Sequence, residues 1–159
     1  APGELQLRGP QLFGGYWDNA AATADAMTAD GWLRTGDVLS WQPEAGWRVR
    51  GRTKEMYISG GENVFPGEVE AALLETGEVA ACCVVGVPDP RWGEVGAACV
   101  VPVDGRSLDV EHLRRRLRAL LAAYKVPRDV VCVDALPRLG SGKVDRAAVA
   151  RRVADAAPR

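Results

Sequence analysis

The chain has 159 residues, 47% of them hydrophobic, which suffices to bury a core in one ordinary domain or one and a fraction and excludes disorder as a description of the whole. Twenty basic residues against twenty-one acidic ones leave a formal net charge of −1, so there is no general attraction for nucleic acid or an anionic membrane, and any anionic ligand must be held locally. No apolar run reaches membrane-spanning length, and the start, APGELQLRGP, lacks the basic and apolar regions of a signal peptide.

The first residue is not methionine, and Glu4 to Arg8 enter at once into an alternating strand pattern, which reads as a chain cut from something longer. Further alternating segments at Val38 to Trp41 and Trp47 to Arg50, separated by turns, make residues 1–52 a β-rich piece. From residue 53 the pattern is mixed. It predicts a strand over 56–58, a helix over 66–76, strands over 79–86 and 95–103, a helix over 109–123, a strand over 130–133 and a final helix from about residue 145. The expected class is α/β (α+β), with a short central sheet and flanking helices across residues 53–159. In the helix over 109–123, Val110, Leu113, Leu117, Leu120 and Tyr124 fall on one stripe, and Arg114, Arg115, Arg116 and Arg118 crowd the solvated faces. The tail after Val153 is expected to fray.

The stretch from Gly51 to Glu70, GRTKEMYISGGENVFPGEVE, concentrates the chemistry. Gly51 to Glu55 form a polar turn where a guanidinium can hold a phosphate or ribose, and Met56 to Ile58 read as a short buried strand. Gly60 and Gly61 remove two Cβ atoms in succession, which permits positive φ and lets a ligand or another backbone approach closely. Pro66 starts a helix whose positive end suits Glu68 and Glu70. Cys82, Cys83, Cys99 and Cys132 lie in apolar, β-branched runs without metal-ligand spacing, the pattern of buried, reduced thiols in a cytoplasmic protein. No metal site is expected. His112, the single histidine, lies on the arginine-rich helix and is expected to be inert.

Four islands, in order, carry a resemblance: Arg34 to Asp37 (RTGD); the Gly51 to Glu70 stretch; Asp89 to Glu94 (DPRWGE); and Tyr124 to Pro127 (YKVP) followed by Pro137 to Lys143 (PRLGSGK). With GELQLRGP, GYW and GKVDR, they make the chain resemble the C-terminal portion of an adenylate-forming enzyme of the acyl-CoA synthetase (acid–thiol ligase) type, from Gly3 to about Val153. Such enzymes join a carboxylic acid to the α-phosphate of Mg-ATP, releasing pyrophosphate, and a thiol then displaces AMP. The resemblance implies that residues 1–52 end a large N-terminal domain and that residues 53–159 form a mobile lid.

It also implies roles. Asp37 would accept the ribose hydroxyls, with a turn-capping aspartate as the alternative. Arg52 would contact ribose and phosphate, or form only a surface salt bridge. Lys143, on a mobile loop made flexible by Gly140 and Gly142, would bridge carboxylate and α-phosphate oxygens, or be an ordinary loop lysine. Lys54 matches the hinge, and Ser59, Gly60 and Gly61 the pantetheine path of CoA, where smallness admits a thin thiol arm. Trp92 and Tyr124 match aromatic positions that pack on the CoA nucleotide, or belong to a core. Val126 departs from relatives that place a basic residue there. The implied co-substrates are ATP with Mg²⁺, a small carboxylic acid and CoA, and the implied partner is the N-terminal domain. Two other readings stay open: an adenylation domain serving a carrier protein, and a non-catalytic module that binds CoA or a sister chain.

Overall fold

Apolar residues occupy both alternating faces of the segment from Val79 to Pro102, and a strand pair with no polar face must be covered on both sides. The structure, a computed structural model, describes residues 1–103 and 107–156. It divides into two compact units, Ala1–Lys54 and Glu55–Arg159.

In the first unit, β1 (Gly3–Leu7), β2 (Leu33–Gln42) and β3 (Gly46–Arg52) form an antiparallel sheet in the order β1-β2-β3. Between β1 and β2 sits α1 (Ala20–Asp25), capped by Asn19, whose side chain accepts from the Ala22 N–H. This six-residue, alanine-rich helix escapes the periodicity reading because it buries no residue. Strand β2 starts five residues before the expected Val38, so Arg34 to Asp37 lie in the sheet rather than in a free turn.

The second unit contains β4 (Tyr57–Ser59), β5 (Glu62–Val64), α2 (Pro66–Glu75), β6 (Val79–Asp89), β7 (Gly93–Pro102), α3 (Val110–Leu120), a 3-10 turn (Ala123–Lys125), β8 (Asp129–Cys132) and α4 (Arg146–Ala156). Strand β7 is the hub. It pairs antiparallel with β6 along its length; it also pairs in parallel with β8 over Ala97 to Val100 and meets β4 at Gly93. The period of two then sorts the core. Val84, Ala98 and Val100 join Val69, Leu73, Leu113 and Leu117 of α2 and α3, while Cys83, Val85, Ala97 and Cys99 join Val149 and Val153 of α4. Helices thus cover both faces of one mixed sheet. Leu113 and Leu117 are fully buried, and truncating a core leucine of this kind costs about 2–5 kcal/mol.

Three expectations need correction. Helix α3 ends at Leu120, and Leu121 adopts an extended backbone with φ −127° and ψ 151°. Leu120 and Tyr124 are therefore exposed, and Leu121 and Val126 pack on the core in their place. Cys132 is exposed at the end of β8, whereas Cys83 and Cys99 are buried and face each other across β6 and β7. The tail is helical through Ala156, because Val153 is buried and anchors the last turn; residues 157–159 lie outside the described residues.

Candidate functional site

In the first unit, β1 shapes the segment that carries Asp37. Glu4 pairs with Val38 and Gln6 with Arg34, so Leu5 alone stands opposite Thr35, Gly36 and Asp37, which bulge out of the ladder. Gly36 turns the bulge with φ +75°. Its N–H donates to Glu4 Oε1 at 3.1 Å, and Thr35 Oγ1 donates to the Leu5 carbonyl at 2.8 Å while accepting from the Asp37 N–H at 3.1 Å. Asp37 is thus held by its backbone, with its carboxylate free to point across the sheet. Its register partner on β3 is Arg52, whose Nε lies 2.8 Å from Asp37 Oδ1. Among the described residues, one carboxylate oxygen and the two terminal nitrogens of the guanidinium have no ion-pair partner. Thr53 donates to the Gly36 carbonyl at 2.8 Å, and the exposed Lys54 closes the unit.

In the second unit, the glycine pair and Trp92 come together. Ser59 pairs with Gly93, and the Gly60 N–H donates to the Trp92 carbonyl at 2.9 Å. Gly60 and Gly61 both take positive φ, +60° and +87°, as the two-residue turn between β4 and β5 requires. Their lack of Cβ serves two ends. A Cβ on Gly60 would stand 2.6 Å from Cε3 of the Trp92 indole, so this glycine makes room for the tryptophan; both glycines are exposed, but only at Gly61 would a Cβ meet nothing within 4 Å. Ser59 is 3% exposed and offers little side-chain surface to a ligand. Ile58 is exposed and Tyr57 buried, so the short strand is buried on one face only.

Residues to which the sequence assigns no individual role hold this surface. Asp89 Oδ1 accepts from the N–H groups of Trp92 at 2.8 Å and Arg91 at 2.9 Å, and its other oxygen pairs with Arg128. The two backbone N–H groups, the Trp92 one foremost, and Arg128 hold its carboxyl below the usual range. Glu94 Oε2 accepts from the Ile58 N–H at 3.0 Å. The DP dipeptide signals a turn, but nothing in the linear sequence names Arg128 as the partner. Trp92 is 46% exposed, packed on one side and open on the other. Tyr124 comes from the 3-10 turn, where Lys125 lies 5.8 Å from its ring centroid and also pairs with Glu68 at 2.7 Å.

The Lys143 segment is a hydrogen-bonded hairpin. Arg138 and Val144 form an antiparallel bridge, Leu139 N–H donates to the Lys143 carbonyl and Gly142 N–H to the Leu139 carbonyl, both at 2.8 Å, and Arg138 Nη1 donates to the Gly142 carbonyl at 2.7 Å. Gly142 takes φ +82° at the turn of this hairpin. Lys143 is exposed, with no carboxylate within ion-pair distance among the described residues. His112 faces Glu78 at 3.7 Å, remote in role from these segments.

Burial pushes the Cys82 thiol up to about 12 and the Cys83 thiol to about 11, which makes both poor nucleophiles. Among the described residues, no group of three or more His, Cys, Asp or Glu could hold a metal ion. Among the described residues, no helix is long and apolar enough to cross a membrane.

The first unit thus carries a paired carboxylate and arginine and the second a lysine hairpin and a glycine turn, and residues 68–143 match the AMP-binding enzyme C-terminal domain. The chain is 49% identical over 150 residues to a feruloyl-CoA synthase of Amycolatopsis, a match covering 94% of this chain and 30% of the relative. It is 47% identical over 154 residues to an indoleacetate–CoA ligase of Aromatoleum aromaticum, covering 97% of this chain and 30% of the relative. Among solved structures, the o-succinylbenzoate CoA synthetase of Bacillus subtilis, in complex with an acyl-adenylate intermediate, superposes with a TM-score of 0.85 at 34% identity, over 94% of this chain and 30% of that one. An amide bond synthetase of Marinactinospora thermotolerans gives a TM-score of 0.87 at 39% identity, over 96% and 31%. The chain belongs to the AMP-binding, adenylate-forming enzymes and corresponds to a C-terminal portion of them. It spans 30% of the length of the curated relatives named above.

Proposed function

We propose that the chain is the lid-bearing part of a longer acid–thiol ligase that converts a carboxylic acid and ATP to an acyl-adenylate and transfers the acyl group to CoA. The observation that carries this reading is the arrangement within Glu55–Arg159. An exposed lysine sits on a hydrogen-bonded hairpin just before α4, while an unobstructed glycine and a half-exposed tryptophan meet at the β4–β5 turn. Two half-reactions with different nucleophiles need two such surfaces, used in turn.

In the first step a carboxylate oxygen attacks the α-phosphorus and pyrophosphate leaves. Lys143 supplies a cation where negative charge gathers on the carboxylate and phosphate oxygens. Asp37 accepts from the ribose hydroxyls through its open oxygen, and the Arg52 fork reaches phosphate or ribose while its Nε stays on Asp37. In the second step the thiol sulfur attacks the acyl carbon and AMP leaves. Gly61 admits the pantetheine arm, Ser59 and Gly60 shape the turn beneath it, and Trp92 and Tyr124 offer faces for the CoA nucleotide. Lys54 is the pivot between the two arrangements. Residues 1–52 then finish the large N-terminal domain, residues 53–159 are the mobile lid, and that domain supplies the acid pocket and most contacts to ATP and Mg²⁺.

The likeness to CoA ligases supports free CoA as the acceptor, and the likeness to an amide bond synthetase keeps an amine as a second acceptor to be tested. The test is pyrophosphate exchange by the complete enzyme over a panel of aromatic and aliphatic acids, followed by addition of CoA, an amine or a phosphopantetheinyl carrier protein. Exchange with one acid class and AMP release on adding CoA is the expected result. Exchange with none of the acids refutes the ligase reading, and release only with amine or carrier moves the acceptor.

A further inference from the structure

Arg146, three residues after Lys143, sits between two carboxylates on segments far apart in sequence. Its Nη2 lies 3.0 Å from Glu55 Oε2 and 3.1 Å from Glu70 Oε1, and its Nη1 donates to the Val84 carbonyl at 2.6 Å and reaches Cys83 Sγ at 3.4 Å. Glu70 is itself committed, since its Oε1 also accepts from the Val84 N–H at 2.9 Å. Val84 and Glu70 therefore suffice to anchor the guanidinium to β6 and α2. Glu55 is an additional partner, and it is the first residue of the second unit, next to Lys54.

We propose that Arg146 is a positioning residue that ties the base of the Lys143 hairpin to Glu55, so that Lys143 is carried by the segment that enters the domain. This rests on the ligase reading and on Lys54 as its pivot. Little slack separates the two ends. Val144 is fixed by its bridge to Arg138, the Asp145 N–H donates to the Pro137 carbonyl at 2.9 Å, and Asp145 Oδ1 caps α4 by accepting from the Ala148 N–H at 2.9 Å. A rotation at residue 54 therefore displaces Glu55, the guanidinium and the lysine hairpin together. Without the Glu55 contact, the entering segment turns independently and the lysine arrives in a spread of orientations. Adenylate formation, which needs Lys143, suffers; thioester formation, which uses the glycine surface, does not.

The test uses the complete enzyme with Glu55→Gln, Arg146→Lys and the double variant, an aromatic acid that the wild type activates, and two assays: pyrophosphate exchange, and thioester formation from supplied acyl-adenylate. Glu55→Gln should lower kcat for exchange by roughly fivefold at unchanged KM for ATP and leave thioester formation within about twofold, in the range expected for one ion-pair network. Arg146→Lys, which keeps the charge but loses the fork, should do the same to a larger degree, and the double variant should be no worse than Arg146→Lys alone. Unchanged exchange in Glu55→Gln, or equal loss of both half-reactions, overturns the proposal. If Arg146→Lys fails to fold, Glu55→Gln decides alone, because Glu70 still holds the arginine. An inactive wild type would overturn the ligase reading and this coupling with it, whereas an active wild type with an indifferent Glu55→Gln overturns only the coupling.

Discussion

The two adjacent glycines of the β4–β5 turn should respond differently to the same substitution. Both have positive φ, so a Cβ at either position carries a left-handed backbone penalty of about 1–2 kcal/mol. At Gly61 nothing else is met, and that penalty is the whole effect. At Gly60 the new methyl would lie 2.6 and 2.9 Å from two carbons of the Trp92 ring, closer than carbon atoms approach, so the indole must move off the turn. Losing that contact adds roughly 0.5–1.5 kcal/mol, the scale of a specific aromatic contact. Trp92 is the sole tryptophan after Lys54, since the other four precede it. A fragment comprising residues 55–159 thus reports on it directly by fluorescence. Gly60→Ala should shift the emission of this fragment to longer wavelength and lower its melting temperature more than Gly61→Ala, at roughly 4–8 °C per kcal/mol for a domain of this size. Gly61→Ala should leave the emission unchanged. Identical spectra and melting points for the two variants would refute the division of labour between them.

Tyr57 provides a second prediction. Its ring fills a slot opposite the paired Gly86 and Gly96, it is 2% exposed, its hydroxyl has no partner among the described residues, and burial pushes the phenol far above its usual range. Tyr57→Phe should be neutral or stabilise the second unit by about 1 kcal/mol, because an unsatisfied buried hydroxyl is removed; a clear drop in melting temperature would reveal a partner for it. The third prediction concerns acid. The Asp89 carboxyl is held below its unfolded value, so its contribution to stability is present above the ordinary carboxylate range and is lost as pH falls through the folded value. Asp89→Asn keeps the acceptor for Trp92 and Arg91 but removes the titration. It should flatten the fall in stability below about pH 4, measured by denaturation across pH, and an unchanged acid limb would contradict the role assigned to Asp89.

The mixed fold of the second unit was legible because β6 and β7 are apolar over many successive positions, and because Pro66 and the stripe of Leu113 and Leu117 mark their helices. Helix ends were less legible. The stop of α3 depends on Leu121 and Val126 finding the same core as Leu113, a tertiary preference that helical spacing does not encode. Asp37, Arg52, Lys143 and the glycine pair stood out through motif order, yet the contacts that support them did not. Glu4 beneath Gly36, Asp89 beneath Trp92 and Arg146 between Glu55 and Glu70 each join segments that only the folded chain brings together. The reason for Gly60 was also hidden: smallness at that position accommodates an indole from the β6–β7 turn. Likewise, the sequence shows Gly142 beside the lysine, but only the folded chain shows the hydrogen-bonded turn that it makes.

The central claim, that one domain serves two half-reactions through different surfaces, is tested most directly by Lys143→Ala in the complete enzyme. Pyrophosphate exchange should fall by about 100-fold or more, the scale of losing one charge-stabilising donor, while conversion of supplied acyl-adenylate and CoA to thioester proceeds at close to the wild-type rate. Equal loss of both half-reactions in a folded variant would contradict the account.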